Sequence, residues 1–305
     1  MTPGRVLGGR CLTGKVIRRG GMADVRVGRD LQGGRLVAIK ALRSTSAADP
    51  LLRSSLRREA QLLGRLRHHA IVALQDTGHG EGGEDSADTH GGPYLVMEHV
   101  DGRSLRALLR TGGLTRETSV RYQLGLLAAL EASDRAGIVH RDVKPANVMV
   151  TSTGAVKLVD FGIARGIGDT SATVTPMQAL GTPAYLSPEQ ARGESTDARS
   201  DLYSAGCLLF ELLTGRPPFT GDDPVLVAHQ HVHEQAPRAD TGVPALDSVI
   251  TKALTKDLDE RFQSARAFRE TLQAAATARP VSTSLTRPPL AHHASTALAR
   301  TALAA

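Results

Sequence analysis

The sequence predicts an α+β chain, with strand-forming runs and one helix in its first part and a mostly helical second part. Three observations carry this expectation. Short β-prone runs fill the early part of the chain, at residues 12–17, 23–28, 35–42 and 94–98, interrupted by one stretch of helical period at 50–67. Helical periodicity takes over later, with Val120, Leu124, Leu127 and Leu130 in residues 116–136, then the apolar run 202–213. Between them, Val148-Met149-Val150 and Val156-Lys157-Leu158-Val159 flank the turn Thr151-Ser152-Thr153-Gly154 and read as a hairpin.

Composition sets the boundaries. A chain of 305 residues can build one large domain or two lobes around a sizeable core. Aromatic residues make up only 3% and Trp is absent, so Leu, Val and Ala must form that core. The two cysteines, Cys11 and Cys207, lie far apart. Cys207 sits in an apolar run and reads as a small buried hydrophobe. No disulfide framework is expected, which suits a reducing cytoplasm. There is no apolar leader of signal-peptide type and no apolar stretch of about 18 residues, so no membrane span is expected. The net charge of +6 comes from scattered arginines not interleaved with aromatics, which argues against a nucleic-acid partner.

Taken in order, residues 1–10 are rich in Gly and Arg and are expected to be disordered. Gly20 and Gly21 mark a hairpin tip. Val37-Ala38-Ile39-Lys40 places a lysine at the end of an apolar strand, where it needs a partner. In the helix 50–67, Leu52, Leu56, Ala60, Leu63 and Leu66 fall near helical spacing and Glu59 lies mid-helix, as either that partner or a solvated carboxylate. Residues 71–74 read as a strand. Residues 78–92, with His79 and His90 among acids and glycines, read as a solvated loop rather than a metal site. Residues 163–180 are polar and loop-like. His229 and His233 share a helical face but lack the glutamate of a zinc motif. From about residue 277 the chain turns to Ala, Thr, Ser, Pro and Arg and is expected to be a disordered tail.

The chemistry is concentrated in residues 138–162. Asp142, Asn147 and Asp160 are brought together by the hairpin. A carboxylate at Asp142 can accept the proton of a hydroxyl. Asp160 and the amide oxygen of Asn147 are hard oxygen ligands suited to Mg²⁺ or Mn²⁺. Lys144 can reach a transferred phosphate. Phosphoryl transfer asks for this set: an aimed hydroxyl and cations for the phosphate oxygens.

His140-Arg141-Asp142 with Asn147, then Asp160-Phe161-Gly162, Val37 to Lys40, and Pro188-Glu189 preceded by Ser187 all occur in the order found in protein kinases. The chain resembles the bacterial eukaryotic-like (Hanks-type) serine/threonine protein kinases. The resemblance implies the two-lobe kinase fold over residues 11–276, with a smaller lobe of antiparallel sheet plus one helix at 11–98 and a larger, mostly helical lobe at 99–276. It implies a glycine loop over the ATP phosphates that keeps Gly20, Gly21 and Val25, with Ala23 at its third glycine position. Arg18 stands at the first, adding a cation near the triphosphate. It implies that Lys40 pairs with Glu59 and the phosphates. Ile17, Val25, Ala38, Met97, Glu98, Val100 and Met149 would line the nucleotide pocket, with Met97 guarding the adenine and Leu63 packing on Phe161. Asp142 and Lys144 would act on the acceptor, and Asn147 and Asp160 would hold the metal. Asp201 would hold the catalytic loop, Glu189 would pair with Arg261, and Thr182 would dock a Ser/Thr substrate. The implied activity is transfer of the ATP γ-phosphate to Ser/Thr hydroxyls of protein substrates. It includes autophosphorylation at Thr173 or Thr175, in transient homodimers, within cytoplasmic signalling. Two alternatives stand beside it: a pseudokinase scaffold with weakened nucleotide binding, which Arg18 favours, and a small-molecule phosphotransferase of related fold.

Overall fold

A computed structural model describes residues 5–79, 92–161 and 183–278. Its first lobe is a six-stranded antiparallel sheet of β1 (Val6–Leu7), β2 (Cys11–Arg19), β3 (Ala23–Asp30), β4 (Leu36–Leu42), β5 (Leu74–His79) and β6 (Pro93–Glu98), in the spatial order β1-β2-β3-β4-β6-β5. Side chains alternate across a strand, and β4 shows what that alternation does. Val37, Ile39 and Ala41 join Leu7, Cys11, Tyr94 and Val96 in a small apolar cluster on one face. Ala38 and Leu42 join the main core on the other, with Leu56, Leu63, Leu95 and Met97. Lys40 shares the parity of Ala38 and Leu42, so it faces the core and the helix that covers it.

The short α1 (Ser44–Ala47) leads to that covering helix, α2 (Pro50–Arg65). Asp49 caps α2 by accepting from the Leu51 N–H at 2.8 Å, and Pro50 occupies its first position. The buried residues of α2 are Leu56, Glu59 and Leu63, spaced three and four apart on one stripe. Glu59 is therefore an inward-facing carboxylate rather than a solvated one.

Two expectations are corrected in this lobe. The first ten residues are not all structureless, because Val6 and Leu7 pair with Leu12 and Cys11. Arg10 holds this edge down, bonding Asp30 through two nitrogens at 2.9 Å and Asp76 at 3.0 Å. Nor do residues 71–74 form a strand of the sheet, which resumes only at Leu74. Instead the Val72 N–H donates to the Leu158 carbonyl at 3.0 Å, and the Leu158 N–H donates to the Ala70 carbonyl at 2.8 Å. The apolar run is strand-like, but its backbone partner lies in the other lobe.

The second lobe opens with a three-stranded sheet, β7 (Gly102–Ser104), β8 (Val148–Thr151) and β9 (Val156–Leu158), in which the hairpin keeps the register Val148↔Leu158. Around it lie α3 (Leu105–Thr111), α4 (Arg116–Arg135), α5 (Pro188–Arg192), α6 (Ala198–Thr214), α7 (Pro224–His233), α8 (Pro244–Ala253) and α9 (Ala265–Ala276). Helix α6 is buried along nearly its whole length, from Ser200 through Phe210. Two glycines let elements approach closely. A Cβ at Gly125 of α4 would lie 2.8 Å from the Val156 Cβ of β9, and one at Gly206 of α6 would lie 2.8 Å from the Ala253 Cβ of α8. Gln123 and Ser119 tie α4 to α6, donating to the Ala205 and Leu212 carbonyls at 2.9 and 2.8 Å. Cys207 is fully buried, as its apolar neighbours required, and both cysteines are free.

Among the described residues no helix is long and apolar enough to cross a membrane, and no group of three His, Cys, Asp or Glu side chains is placed to hold a metal. The His229 and His233 rings lie 4.4 Å apart and tilted to each other, while His231 is buried beside the Tyr203 hydroxyl at 3.0 Å. Helix α9 ends at Ala276, and the tail beyond residue 278 lies outside the described residues.

The expected pair of Glu189 and Arg261 sits at the base of this lobe, with both residues at most 2% exposed. Arg261 donates to Glu189 at 3.0 and 3.4 Å and to the carbonyls of Thr255, Arg199 and Lys256 at 3.0, 2.8 and 3.2 Å. All five of its N–H groups are satisfied. Arg261→Ala leaves Glu189 buried and unpaired, so folding stability should fall by about 3–5 kcal/mol. Urea denaturation followed by far-UV circular dichroism, in a chain without Trp, measures this.

Candidate active site

Residues 136–147 lead from α4 into β8 through a loop that the fold holds by its backbone. Asp201, in the first turn of α6, accepts from the His140 N–H at 2.6 Å and the Arg141 N–H at 2.8 Å. Burial pushes its carboxyl up to about 7, against the two donors, which favour the ionised form. From the other side, Gln190 of α5 donates its amide to the Arg141 carbonyl at 2.9 Å. Gln190 also closes a capping box with Ser187. Arg141 sits at φ +65° and Asp160 at φ +56°, in a left-handed region that non-glycine residues seldom occupy and that costs on the order of 1–3 kcal/mol for a residue such as Arg141. The bonds to Asp201 and Gln190 are what keep Arg141 there.

His140 is completely buried. Its Nε2 lies 3.2 Å from the Val159 carbonyl, which can only accept, and its Nδ1 lies 3.2 Å from the Asp142 N–H, which can only donate. These partners fix a neutral ring protonated at Nε2. Burial lowers its pKa to about 4. The ring packs on Phe161 at 4.6 Å, joining the catalytic loop to the segment that carries Asp160. Phe161 and Leu63 are buried in the same core.

Asp142 faces the cleft with both carboxylate oxygens engaged. Lys144 bonds them at 2.8 and 2.7 Å, and Asn147 donates its amide to one of them at 2.8 Å and to the Asp142 carbonyl at 2.9 Å. Anchoring the Asn147 nitrogen points its amide oxygen the opposite way. Across the cleft Lys40 bonds Glu59 at 2.6 and 2.9 Å and Asp160 at 3.2 Å. Burial alone would lower the Lys40 ammonium, but Asp160 and Glu59 outweigh it and raise it. Burial would likewise raise Asp160, yet Lys40 and then Arg18 hold it at about 2.

Arg18 joins the two halves. From β2 its guanidinium bonds the second oxygen of Asp160 and donates to the Asn147 amide oxygen at 2.9 Å. A continuous chain of hydrogen bonds thus runs Glu59, Lys40, Asp160, Arg18, Asn147, Asp142, Lys144. Sequence reading put a cation near this point without indicating which groups it would touch.

The expected nucleotide-pocket residues are spread over β2, β3, β4, β6 and β8 and the segment after β6. Ala38 lies opposite Met97 across β4 and β6, and Val25 lies opposite Lys40 across β3 and β4. Met149 is on β8, Val100 is half-buried after β6, and Ile17 is exposed on β2. The Glu98 N–H is taken by the Ala73 carbonyl at 2.9 Å, and its carboxylate pairs with Lys157 at 2.5 Å. The Gly20 N–H closes the hairpin tip on the Ala23 carbonyl at 2.9 Å, while nothing stands within 4 Å of where a Gly21 side chain would begin. Gly162, Thr173, Thr175 and Thr182 lie outside the described residues. Gln190 escaped the sequence reading, although the Ser187-x-x-Gln190 spacing is a legible capping signal.

His140 gives the site a pH signature. An ordinary histidine titrates near 6.5, so between 6.5 and about 4 the unfolded chain takes up a proton that the folded chain refuses. This contribution to stability is full above 6.5 and is lost as the pH falls toward 4. The unfolding free energy of the wild type minus that of His140→Gln should therefore shrink across this window in urea titrations at stepped pH.

Residues 12–273 match the family model described as the protein kinase domain. Over 283 residues the chain is 54% identical to a probable serine/threonine-protein kinase of Streptomyces coelicolor, covering 91% of this chain and 41% of the relative. It is 49% identical over 280 residues to the serine/threonine-protein kinase PknB of Mycobacterium tuberculosis, covering 89% and 44%. The chain thus spans less than half the length of these relatives. Among solved structures, a mutant of the PknI kinase domain of Mycobacterium tuberculosis superposes with a TM-score of 0.68 at 25% identity, covering 90% of this chain and 99% of that one. The two-lobe architecture and the meeting of both motif sets in one cleft agree with these likenesses, and the chain belongs to the protein kinase family, among its bacterial serine/threonine members.

Proposed function

We propose that this chain transfers the γ-phosphoryl group of ATP to Ser or Thr hydroxyls of protein substrates. The observation that carries this reading is the hydrogen-bonded chain from Glu59 to Lys144, which brings residues from five parts of the sequence to one spot. Lys40, kept charged and aimed by Glu59, pairs with the α- and β-phosphates. The tip at Gly20 and Gly21 covers the phosphates, and Ile17, Val25, Ala38, Met97, Val100 and Met149 enclose the base. The Glu98 N–H is already engaged, so base recognition falls to its carbonyl and the backbone of Val100. Asp142 accepts the proton of the attacking hydroxyl. Lys144, bonded to Asp142, supplies positive charge beside the transferred group.

The oxygens of Asp160 and Asn147 fit a divalent ion. They already converge on one cation, the Arg18 guanidinium, and they are the hard donors that Mg²⁺ or Mn²⁺ prefers. The ion, when bound, neutralises charge on the phosphate oxygens. The buried free thiols of Cys11 and Cys207 suit a reducing compartment, so the proposed setting is the cytoplasm.

Incubation with radiolabelled ATP and Mg²⁺ should label a protein acceptor. Asp142→Asn should cut incorporation by at least about 100-fold, in line with loss of a general base, while nucleotide-induced thermal stabilisation persists. Equal labelling by the two proteins would refute the role of Asp142, and absence of label in both would favour the pseudokinase reading.

Regulation forms part of the proposal. Arg141 directly precedes Asp142, and a phosphate carrying close to two negative charges can order a loop by pairing with arginine. Thr175, then Thr173, are the acceptors we assign, modified between two copies of the chain in a transient homodimer, with Thr182 docking the acceptor residue. Phosphopeptide mapping after incubation with Mg·ATP should find phosphate at these threonines. Incorporation confined to sites outside residues 171–175 would overturn the assignment.

A further inference from the structure

We propose that Arg18 is a tethered cation that competes with the divalent metal ion for Asp160 and Asn147, so that the phosphate-covering loop itself sets how much metal the site requires. This rests on the assignment of the metal to those two residues, and it adds a determinant of metal affinity that lies outside the ligand set. The geometry carries it. One Arg18 nitrogen bonds the Asp160 oxygen that Lys40 leaves open, and another donates to the Asn147 amide oxygen at 2.9 Å.

Neither acceptor can turn away. The Asn147 nitrogen is anchored by two bonds to Asp142, and Asp160 is held through its other oxygen by Lys40. A metal ion of this class draws its oxygens to about 2.0–2.1 Å for Mg²⁺. A guanidinium seated between the same two oxygens has to withdraw first.

Withdrawal is feasible from this position. The Arg18 side chain is 38% exposed, against 19% for Asp160, and it leaves β2 two residues before the Gly20-Gly21 tip. The β2–β3 pairing is also irregular just here, with a register shift between Val16 and Arg18. Because Arg18 is covalently tied to the site, its local concentration is in the range of about millimolar or higher. It therefore competes with metal even when the ion is abundant. Arg19, next to it, is exposed and serves as the matched charge control.

The test is Mn²⁺ binding to the full chain, read by the electron paramagnetic resonance signal of free Mn²⁺, with and without ADP. Arg18→Gly should lower the Mn²⁺ dissociation constant by about tenfold, equivalent to about 1.4 kcal/mol. Arg18→Gln, which keeps the stem and removes the charge, should act in the same direction and covers the case in which the glycine variant folds poorly. Arg19→Gly should leave the constant unchanged. In melting experiments without metal, Arg18→Gly should melt lower than the wild type, and Mn²⁺ should raise its midpoint by more.

An unchanged or weaker Mn²⁺ affinity in both Arg18 variants, with wild-type binding intact, overturns the competition. So does an equal gain in Arg19→Gly, which would mark a general charge effect. If neither the wild type nor the Arg18 variants bind Mn²⁺, the metal assignment itself fails and the competition falls with it.

Discussion

A buried ammonium must be neutralised, and much of this structure follows from where Lys40 is put. Strand alternation turns Lys40 toward the main core with Ala38 and Leu42. Helix α2 answers by placing Glu59 on its apolar stripe, between Leu56 and Leu63. The hairpin of the second lobe answers with Asp160. Glu59 has the lysine as its ion partner at that depth, Asp160 shares its charge between Lys40 and Arg18, and the two carboxylates together hold the ammonium in its charged form. Three elements from two lobes are thus obliged to meet, and the cleft lies where they do.

The loop at residues 138–147 obeys a different constraint. It is held mostly through its main chain, by Asp201 on two N–H groups and Gln190 on a carbonyl. This leaves the side chains of Asp142, Lys144 and Asn147 to one another. It also explains how Arg141 is kept at a positive φ, since groups on both sides of that residue fix its peptide planes. His140 adds a link that depends on staying neutral, because its unprotonated nitrogen receives the Asp142 N–H.

Much of this was legible in the sequence, and for physical reasons. Val37 to Lys40 declares a buried charge in an apolar run, and such a charge needs a partner. Residues 140–147 and 160–162 specify several side chains at fixed spacing around a hairpin whose register is set by its turn. The pair of Glu189 and Arg261 was accessible only through family order, because nothing in two distant segments reports their contact. Three things lay beyond the sequence. Residues 70–72 are apolar and strand-like, but periodicity cannot say which strand they will join. The edge strand at Val6 is held by Arg10 and Asp30, a tertiary ion pair without a local signal. The reach of Arg18 to Asp160 and Asn147 depends on the relative placement of two lobes, and a long flexible side chain advertises no direction.

The two main-chain bonds between residues 70–72 and Leu158 bind the sheet lobe to the hairpin that carries Asp160. They use peptide groups alone. The side chains at these positions are buried in the main core, so an apolar replacement alters the packing around the joint while leaving its backbone bonds in place. Proline is the exception, because at Val72 or Leu158 it deletes the donor. The seam between the lobes therefore accepts exchange among apolar side chains that keep the buried core filled, while proline deletes the bond itself.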